Sequence, residues 1–332
     1  MTVTPLLRRA LLSSALAMAT LPVVAQAPAE TALPKPALPS YRFVVGFGAG
    51  GVPDAAARAI AAKLSERWKI PALVENKLGA GGTLAAQAVL AAPADGQTLL
   101  SVSPAHATAP AVFRKLNYDT LRDFAPVTLI GEGPALLVVP NDLKVRDVAE
   151  LVAMAKAKPG ALSYSSAGIG SSSHFAAALL STQAGIDVVN IPYKSIGEAL
   201  TETIAGRVQF HVAPYISAIG LVRDGKLRAL AVTGKRRLAD LPDVPTVAES
   251  GVPGYEWLFW YGLLVSAKTP APVVEQLHRD MTGIIKLPDV RKQLATMGVD
   301  VVASTPGEFR QLIEAEVAKY ARIAKAANIQ PE

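Results

Sequence analysis

The chain has 332 residues, of which 18% are charged and 51% hydrophobic, with 25 glycines, 25 prolines and no cysteine. This length suggests two domains, and the composition excludes a disordered, collagenous or coiled-coil chain. Without cysteine there is no disulfide, thiolate metal site, iron–sulfur cluster or thiol nucleophile. The net charge of +6 comes with no clustered basic and aromatic surface, so nucleic acid is not an expected partner.

Residues 1–25 read as a secretory signal. Arg8 and Arg9 precede a small apolar stretch at 10–24, and Val23-Val24-Ala25 offers a small-residue cleavage site. About 15 apolar residues fall short of the roughly 20 that span a bilayer, so a soluble, exported product is expected. A monomer is expected as well. The paired arginines leave a twin-arginine route open beside the general one. Pro28, Pro34, Pro36 and Pro39 mark 26–40 as a linker.

From Tyr41 the pattern alternates strand and helix. Residues 41–47 predict a strand. Residues 54–68 predict a helix, with Ala57, Ile60, Ala61, Leu64 and Trp68 on one face. Strands are expected at 72–75 and 98–102, with a small-residue helix at 83–91 between them. A second series opens at 136–139. It continues with a helix at 145–158, a strand at 162–164, a helix at 171–185 and a strand at 188–191. A helix at 195–205 and strands at 208–212 and 227–233 complete it.

A long aromatic strand, 257–265, is followed by helices and one strand at 299–302. The last helix opens on Thr305-Pro306-Gly307-Glu308, a capping box with proline at the first helical position. Its expected buried face is Phe309, Leu312, Ile313, Val317, Tyr320 and Ile323. Helix-length crossovers between short strands predict largely parallel sheets covered on both faces. The tail is expected to pack back on the first series. Residues 41–136 plus 262–332 would then form one lobe and 137–261 the other, with crossings near 136–140 and 258–264.

Two glycine-rich turns carry the chemistry. Gly46-Phe47-Gly48-Ala49-Gly50-Gly51 runs from a strand towards a helix, where successive glycines let backbone N–H groups converge at the positive helix end. It also matches the G-x-G-x-x-G spacing of a dinucleotide turn, with Glu75 24 residues beyond Gly51. A dinucleotide-dependent oxidoreductase is thus the competing reading, although no catalytic acid or base stands beside the loop. Asp54 is expected to cap the helix, or to meet a ligand ammonium or a water.

The second turn, 165–174 (SSAGIGSSSH), lets Ser171 cap a helix and leaves the Ser172 hydroxyl at its N-terminus, with His174 packed inside the helix or in contact with ligand. One such loop per lobe would hold a small dianion from both sides. His106, His174, His211 and His278 are too scattered for a metal site, and Lys235-Arg236-Arg237 reads as a solvated turn. Trp257, Phe259, Trp260 and Tyr261 fit strand and hinge packing better than an apolar pocket.

The ordered motifs at 45–54 (VGFGAGGVPD), 74–83 (VENKLGAGGT), 94–98 (ADGQT), 118–127 (YDTLRDFAPV), 159–174, 191–194 (IPYK), 227–234 (LRALAVTG) and 245–251 (PTVAESG) resemble those of the Bug family, the periplasmic solute-binding proteins of tripartite tricarboxylate transporters. The resemblance covers the chain beyond the signal. It implies an α/β, two-lobed periplasmic-binding-protein fold (Venus flytrap, type II-like), each lobe a mostly parallel sheet flanked by helices. It also implies a non-enzymatic protein without cofactor or metal, which captures a small organic carboxylate between the lobes and delivers it to membrane permease subunits or presents it to a sensor.

Carried over by motif, the ligand-binding residues would be Gly50, Gly51 and Asp54 from the first loop and Ser166, Ser171, Ser172 and His174 from the second. His106 would come from a cleft segment, and Tyr193 and Lys194 from a further loop. Four departures from the family pattern bear on the ligand's far end. These are Gly48 for proline, Ser195 for glycine, Glu198 for proline, and Gln209-Phe210-His211 in place of an acidic residue.

Overall fold

The computed structural model describes residues 35–331, so the expected signal at 1–25 and most of the linker lie outside the described residues. Residues 35–40 form neither helix nor strand, yet they are pinned: Ala37 N–H donates to Asp280 at 3.3 Å and Ser40 Oγ to Gln97 at 2.6 Å.

The first series is β1 (Tyr41–Val45), α1 (Val52–Trp68), β2 (Ala72–Asn76), α2 (Thr83–Ala91), β3 (Thr98–Val102) and α3 (Ala105–Val112). A 17-residue strand, β4 (Phe124–Pro140), leads into α4 (Val148–Ala157), β5 (Leu162–Ser166), α5 (Ser172–Ala184) and β6 (Val188–Pro192). There follow α6 (Ile196–Ile204), β7 (Phe210–Pro214), α7 (Tyr215–Arg223) and β8 (Leu227–Val232). The chain ends with β9 (Leu258–Ser266), α8 (Ala271–Ile285), α9 (Pro288–Thr296), β10 (Asp300–Val301) and α10 (Pro306–Ala326).

Strands β2, β1 and β3 lie parallel in that order, and β9 adds antiparallel to β3 and to β4. In the second series β7, β5 and β6 lie parallel in that order, while β7 and β8 pair antiparallel with β4. The long strand therefore serves both groups. It pairs with β9 through Pro134 and with β7 from Ala135. The expectation of a strand beginning at Leu136 missed its first half.

The apolar runs explain the burial. Phe43, Val44 and Val45 of β1 and Leu99 and Leu100 of β3 are closed off on both faces, and α1 packs Ala56, Ala57, Ile60, Ala61 and Leu64 inward. Helix α10 carries the expected capping box and buries Phe309, Ile313, Tyr320 and Ile323 as expected. Glu316 is buried as well, while Leu312 and Val317 are only half-buried. A carboxylate tolerates that position because Trp260 Nε1 donates to it at 3.2 Å, the Tyr320 hydroxyl donates to the same oxygen, and Lys319 Nζ lies 3.1 Å from the other. The aromatic run of β9 is core: Trp257 packs on Tyr320, Trp260 meets Phe309 edge-on, and Tyr320 also meets Phe175 of α5.

Where β4 changes partners, its backbone approaches the α9–β10 turn. A Cβ at Gly133 would lie 1.9 Å from the Gly298 carbonyl oxygen, and one at Gly131 2.3 Å from the Asp300 carbonyl oxygen. Those atoms are backbone and cannot swing aside. Gly133→Ala should lower the unfolding free energy by more than about 2 kcal/mol in urea titration. Gly220→Ala, at an exposed position of α7 with open space around it, should raise it by about 0.5–1 kcal/mol. A neutral Gly133→Ala would refute the close approach.

Candidate functional site

The turn after β1 is tied by one carboxylate. Asp54 Oδ2 accepts from Gly50 N–H and from Arg58 Nε, each at 2.9 Å, and Oδ1 accepts from Asn76 Nδ2 at 2.9 Å. Asn76 also donates to the Phe47 carbonyl. Burial pushes the Asp54 carboxyl up, but the donors Arg58, Gly50 and Asn76 outweigh it and hold the pKa below the ordinary value. The expected cap is corrected here. Helix α1 begins at Val52, its N-cap is Gly51 with no side-chain bond, and Asp54 sits in the first turn closing the loop from inside. With Asp54 occupied in this way, the loop's uncommitted groups are backbone: Gly48 and Ala49 N–H have no protein acceptor among the described residues.

A third glycine turn, 79–82, quoted above only as a family motif, walls the same region. Gly82 has φ of 95°, and its Cα lies where a Cβ on Gly46 would approach to 2.6 Å, so two backbones meet there with no side chain between them. Beside them lies a cavity of about 10 Å³ lined by Gly46, Phe47, Gly82, Ser101, Ser103 and His106, which on that volume is room for one water molecule. It sits at the carboxyl ends of β1 and β3, where the strand order β2-β1-β3 reverses, the position at which open α/β sheets take ligands.

His106 is buried with its ring 5.1 Å from Phe124 and 6.4 Å from Tyr118. Its ring bonds the Thr120 backbone, and Nε2 has no hydrogen-bond partner. Burial pushes its pKa down to about 4, so it is neutral at pH 7.

The turn after β5 is built from serines. Ser171 caps α5 by accepting from His174 N–H at 3.3 Å, and Ser173 Oγ accepts from Ala167 N–H at 3.0 Å. Ser166 Oγ donates to the Gly168 carbonyl. His174 Nδ1 accepts from Gly170 N–H at 3.2 Å, so His174 supports the loop from within the helix, and burial pushes its pKa down to about 4. Ser172 Oγ and the N–H groups of Gly168 and Ile169 have no partner among the described residues.

Tyr193 joins this cluster by donating its N–H to the Ser166 carbonyl at 2.9 Å. Lys194 is exposed, and its ammonium has no partner among the described residues. The departures Ser195 and Glu198 are a helix cap. Ser195 Oγ accepts from Glu198 N–H, and Glu198 Oε2 accepts from Lys194 N–H, a pairing that the S-x-x-E spacing announces.

Beneath the loop, Ser165 Oγ bonds His211 Nδ1 at 2.7 Å and Thr203 at 2.9 Å, and burial pushes the His211 pKa down to about 4.

The structure thus gathers Ser166, Ser171, Ser172, His174 and Tyr193 at one turn, and Gly50, Gly51 and Asp54 at another. His106 stands at the cavity beside the second group. Glu75 faces Arg42 and Lys77 at 3.4 and 3.2 Å. A groove of about 620 Å³ between Ser65, Leu73, Pro93 and Asp95 opens at the other end of the first three strands. Among the described residues no three of His, Asp and Glu converge as metal ligands, and no helix is long and apolar enough to cross a membrane.

Three buried neutral histidines have a pH consequence. Their folded pKa of about 4 lies below the ordinary 6.5, so the unfolded chain takes up protons first. Stability is full above pH 6.5 and falls as pH drops to about 4, each histidine contributing up to about 1.4 kcal/mol per pH unit. Glu132 and Asp280, raised chiefly by burial, oppose this. Urea unfolding at pH 7, 6 and 5 should show the decline, and His106→Phe, which leaves His174 and His211, should make it shallower. A flat wild-type profile matched by the variant would contradict the assignment.

A profile of the Tripartite tricarboxylate transporter family receptor matches residues 56–329. A Pseudomonas sp. (strain P51) protein, the "UPF0065 protein in tcbD-tcbE intergenic region", is 36% identical over 282 residues, 85% of this chain and 84% of the relative. Protein BugT of Bordetella pertussis is 30% identical over 292 residues, 87% of this chain and 89% of BugT. Among solved structures, Rhodopseudomonas palustris Rpa4515 with adipate superposes with a TM-score of 0.83 at 34% identity, over 88% of this chain and 98% of that one. MatC of the same organism with bound malate gives 0.79 at 33%, over 86% and 98%. BugD, a periplasmic binding protein, gives 0.80 at 28%, over 88% and 99%. The fold is therefore the two-lobed one of periplasmic binding proteins, and the chain belongs to the tripartite tricarboxylate transporter receptor family, among the Bug-type solute-binding proteins.

Proposed function

We propose that this protein is exported to the periplasm, captures a small organic dicarboxylate between two lobes and delivers it to the membrane subunits of a tripartite tricarboxylate transporter. The lobes are 41–136 plus 262–332 and 137–261. The observation that carries the reading is the set of uncommitted donors on the turn after β5: Ser172 Oγ with Gly168 and Ile169 N–H, at the N-terminus of the 13-residue α5. Backbone donors and a helix end favour a carboxylate. Gly48 and Ala49 N–H after β1 supply a second group of donors for the ligand's other side. Gly50, Gly51, Asp54, Ser166, Ser171 and His174 shape the two loops, while Tyr193 and Lys194 border the second. The adipate and malate held by the two structural relatives support the dicarboxylate class.

The titratable groups at these turns suit binding better than chemistry. Asp54 is saturated by three donors, and His106 and His174 are neutral and buried. None is poised to exchange a proton near pH 7, so no reaction is assigned to the site.

Thermal unfolding of the purified protein with adipate, malate, other small carboxylates and NAD tests the reading. A dicarboxylate at a hundredfold excess over Kd should stabilise the fold by about 2.7 kcal/mol. Ser172→Ala should weaken that ligand by about 1–3 kcal/mol in calorimetry. A response to NAD alone would overturn the proposal.

A further inference from the structure

Helix α3 touches both loop systems. Its first turn presents His106 to the cavity beside Gly46 and Gly82. Two residues on, fully buried Thr108 donates its hydroxyl to the Gly170 carbonyl at 2.5 Å, and Val112 packs so tightly there that a Cβ on Gly170 would lie 2.7 Å from Val112 Cγ2. Gly170 has φ of 77° in the turn that carries the Ser172 donor. It is held from two sides, its N–H by His174 of its own helix and its carbonyl by Thr108 of the other series.

The Thr108 hydroxyl has a second acceptor in reach, the Ala105 carbonyl at 3.0 Å in its own helix. A hydroxyl carries one proton. It can serve Gly170 when the loop is docked and fall back on Ala105 when the loop leaves, so undocking strands no buried donor.

We propose that Thr108 is a positioning residue that latches the β5–α5 turn onto α3, so that the spacing of the two sheets and the affinity for ligand are set together by one hydrogen bond. The affinity half of this statement rests on the dicarboxylate reading; the spacing half does not.

The chain has no cysteine, so Leu73→Cys on β2 and Val189→Cys on β6, at positions 61% and 46% exposed, can carry a single pair of spin labels. Electron–electron resonance distances would be recorded on this pair, ligand-free and with adipate or malate as probe, for the Thr108 parent, Thr108→Val, Thr108→Ser and Val112→Ala. Thr108→Val keeps the shape and removes the hydroxyl. It should shift the ligand-free distribution to longer and broader distances and weaken the probe about tenfold, equivalent to about 1.4 kcal/mol.

Thr108→Ser should restore both, and Val112→Ala, with the hydroxyl intact, should shift the distances partway. A purely structural threonine would lower the melting temperature and leave the distances unchanged. Unchanged distances in Thr108→Val, or a serine that fails to restore them, would overturn the latch. If neither probe binds the parent while the distances still respond to the hydroxyl, the dicarboxylate reading falls and the latch stands.

Discussion

One strand holds this molecule together. Through Pro134, β4 completes the first sheet against β9, and from Ala135 it supplies the antiparallel partner of β7 and β8. Both sheets need that strand, and neither could lose it without leaving a row of unpaired backbone groups. At the exchange the chain has no room for side chains, which is why Gly131 and Gly133 stand where the Gly298 and Asp300 carbonyls come closest. Around the same point Glu132 is raised first by burial and then by Glu256, Asp300 and Glu316, with Lys235 as the opposing charge.

The site has a different economy of charge. Its side-chain carboxylate, Asp54, is consumed in tying the first turn, and its histidines are stripped of charge by burial. On the proposed reading, what the two turns themselves offer a ligand is peptide N–H groups and the Ser172 hydroxyl, with Tyr193 and Lys194 at the border. Donors of that kind are fixed by the fold before ligand arrives, so little ordering remains to oppose binding. In the proposed role such donors would distinguish poorly among carboxylates, which would leave selectivity to whatever lines the ligand's other end.

Much of this was legible in the residues. The helix at 83–91 and the strand at 98–102 fall where periodicity placed them, and Thr305 with Glu308 formed the expected box. Ser171 caps α5 as its position in the loop suggested. The misreadings have physical reasons. Asp54 has the composition of a cap, but Pro53 and the Gly51 backbone start the helix earlier and leave the carboxylate facing inward. Helix α3 contains Pro110 and little but small residues, so no apolar stripe marks it. Helix α7 follows β7 without an intervening turn. Strand β4 begins well before Leu136: Gly131, Gly133 and Pro134 disfavour a strand interior by residue type, yet the two glycines leave room for the β10 and Gly298 backbone where the strand passes between the sheets. The third glycine turn left a visible signal, a second strand-to-helix run of glycines, but its place as a wall of the cavity depends on the contact of Gly82 with Gly46, which no spacing reveals.

The aromatic cluster under α10 has a mechanical meaning. Tyr320 packs on Trp257, just before β9, and on Phe175 of α5, while Phe309 seals Trp260. These rings sit beside the stretch where β4 and β9 pass from one sheet towards the other. Sliding one sheet along the other would shear packed rings and strain the shared strand β4, against the cost of opening a close-packed core. The helix is therefore a clasp: through Tyr320 it holds the start of β9 and α5 of the second series in one aromatic cluster, so neither can shift without the other yielding contact area.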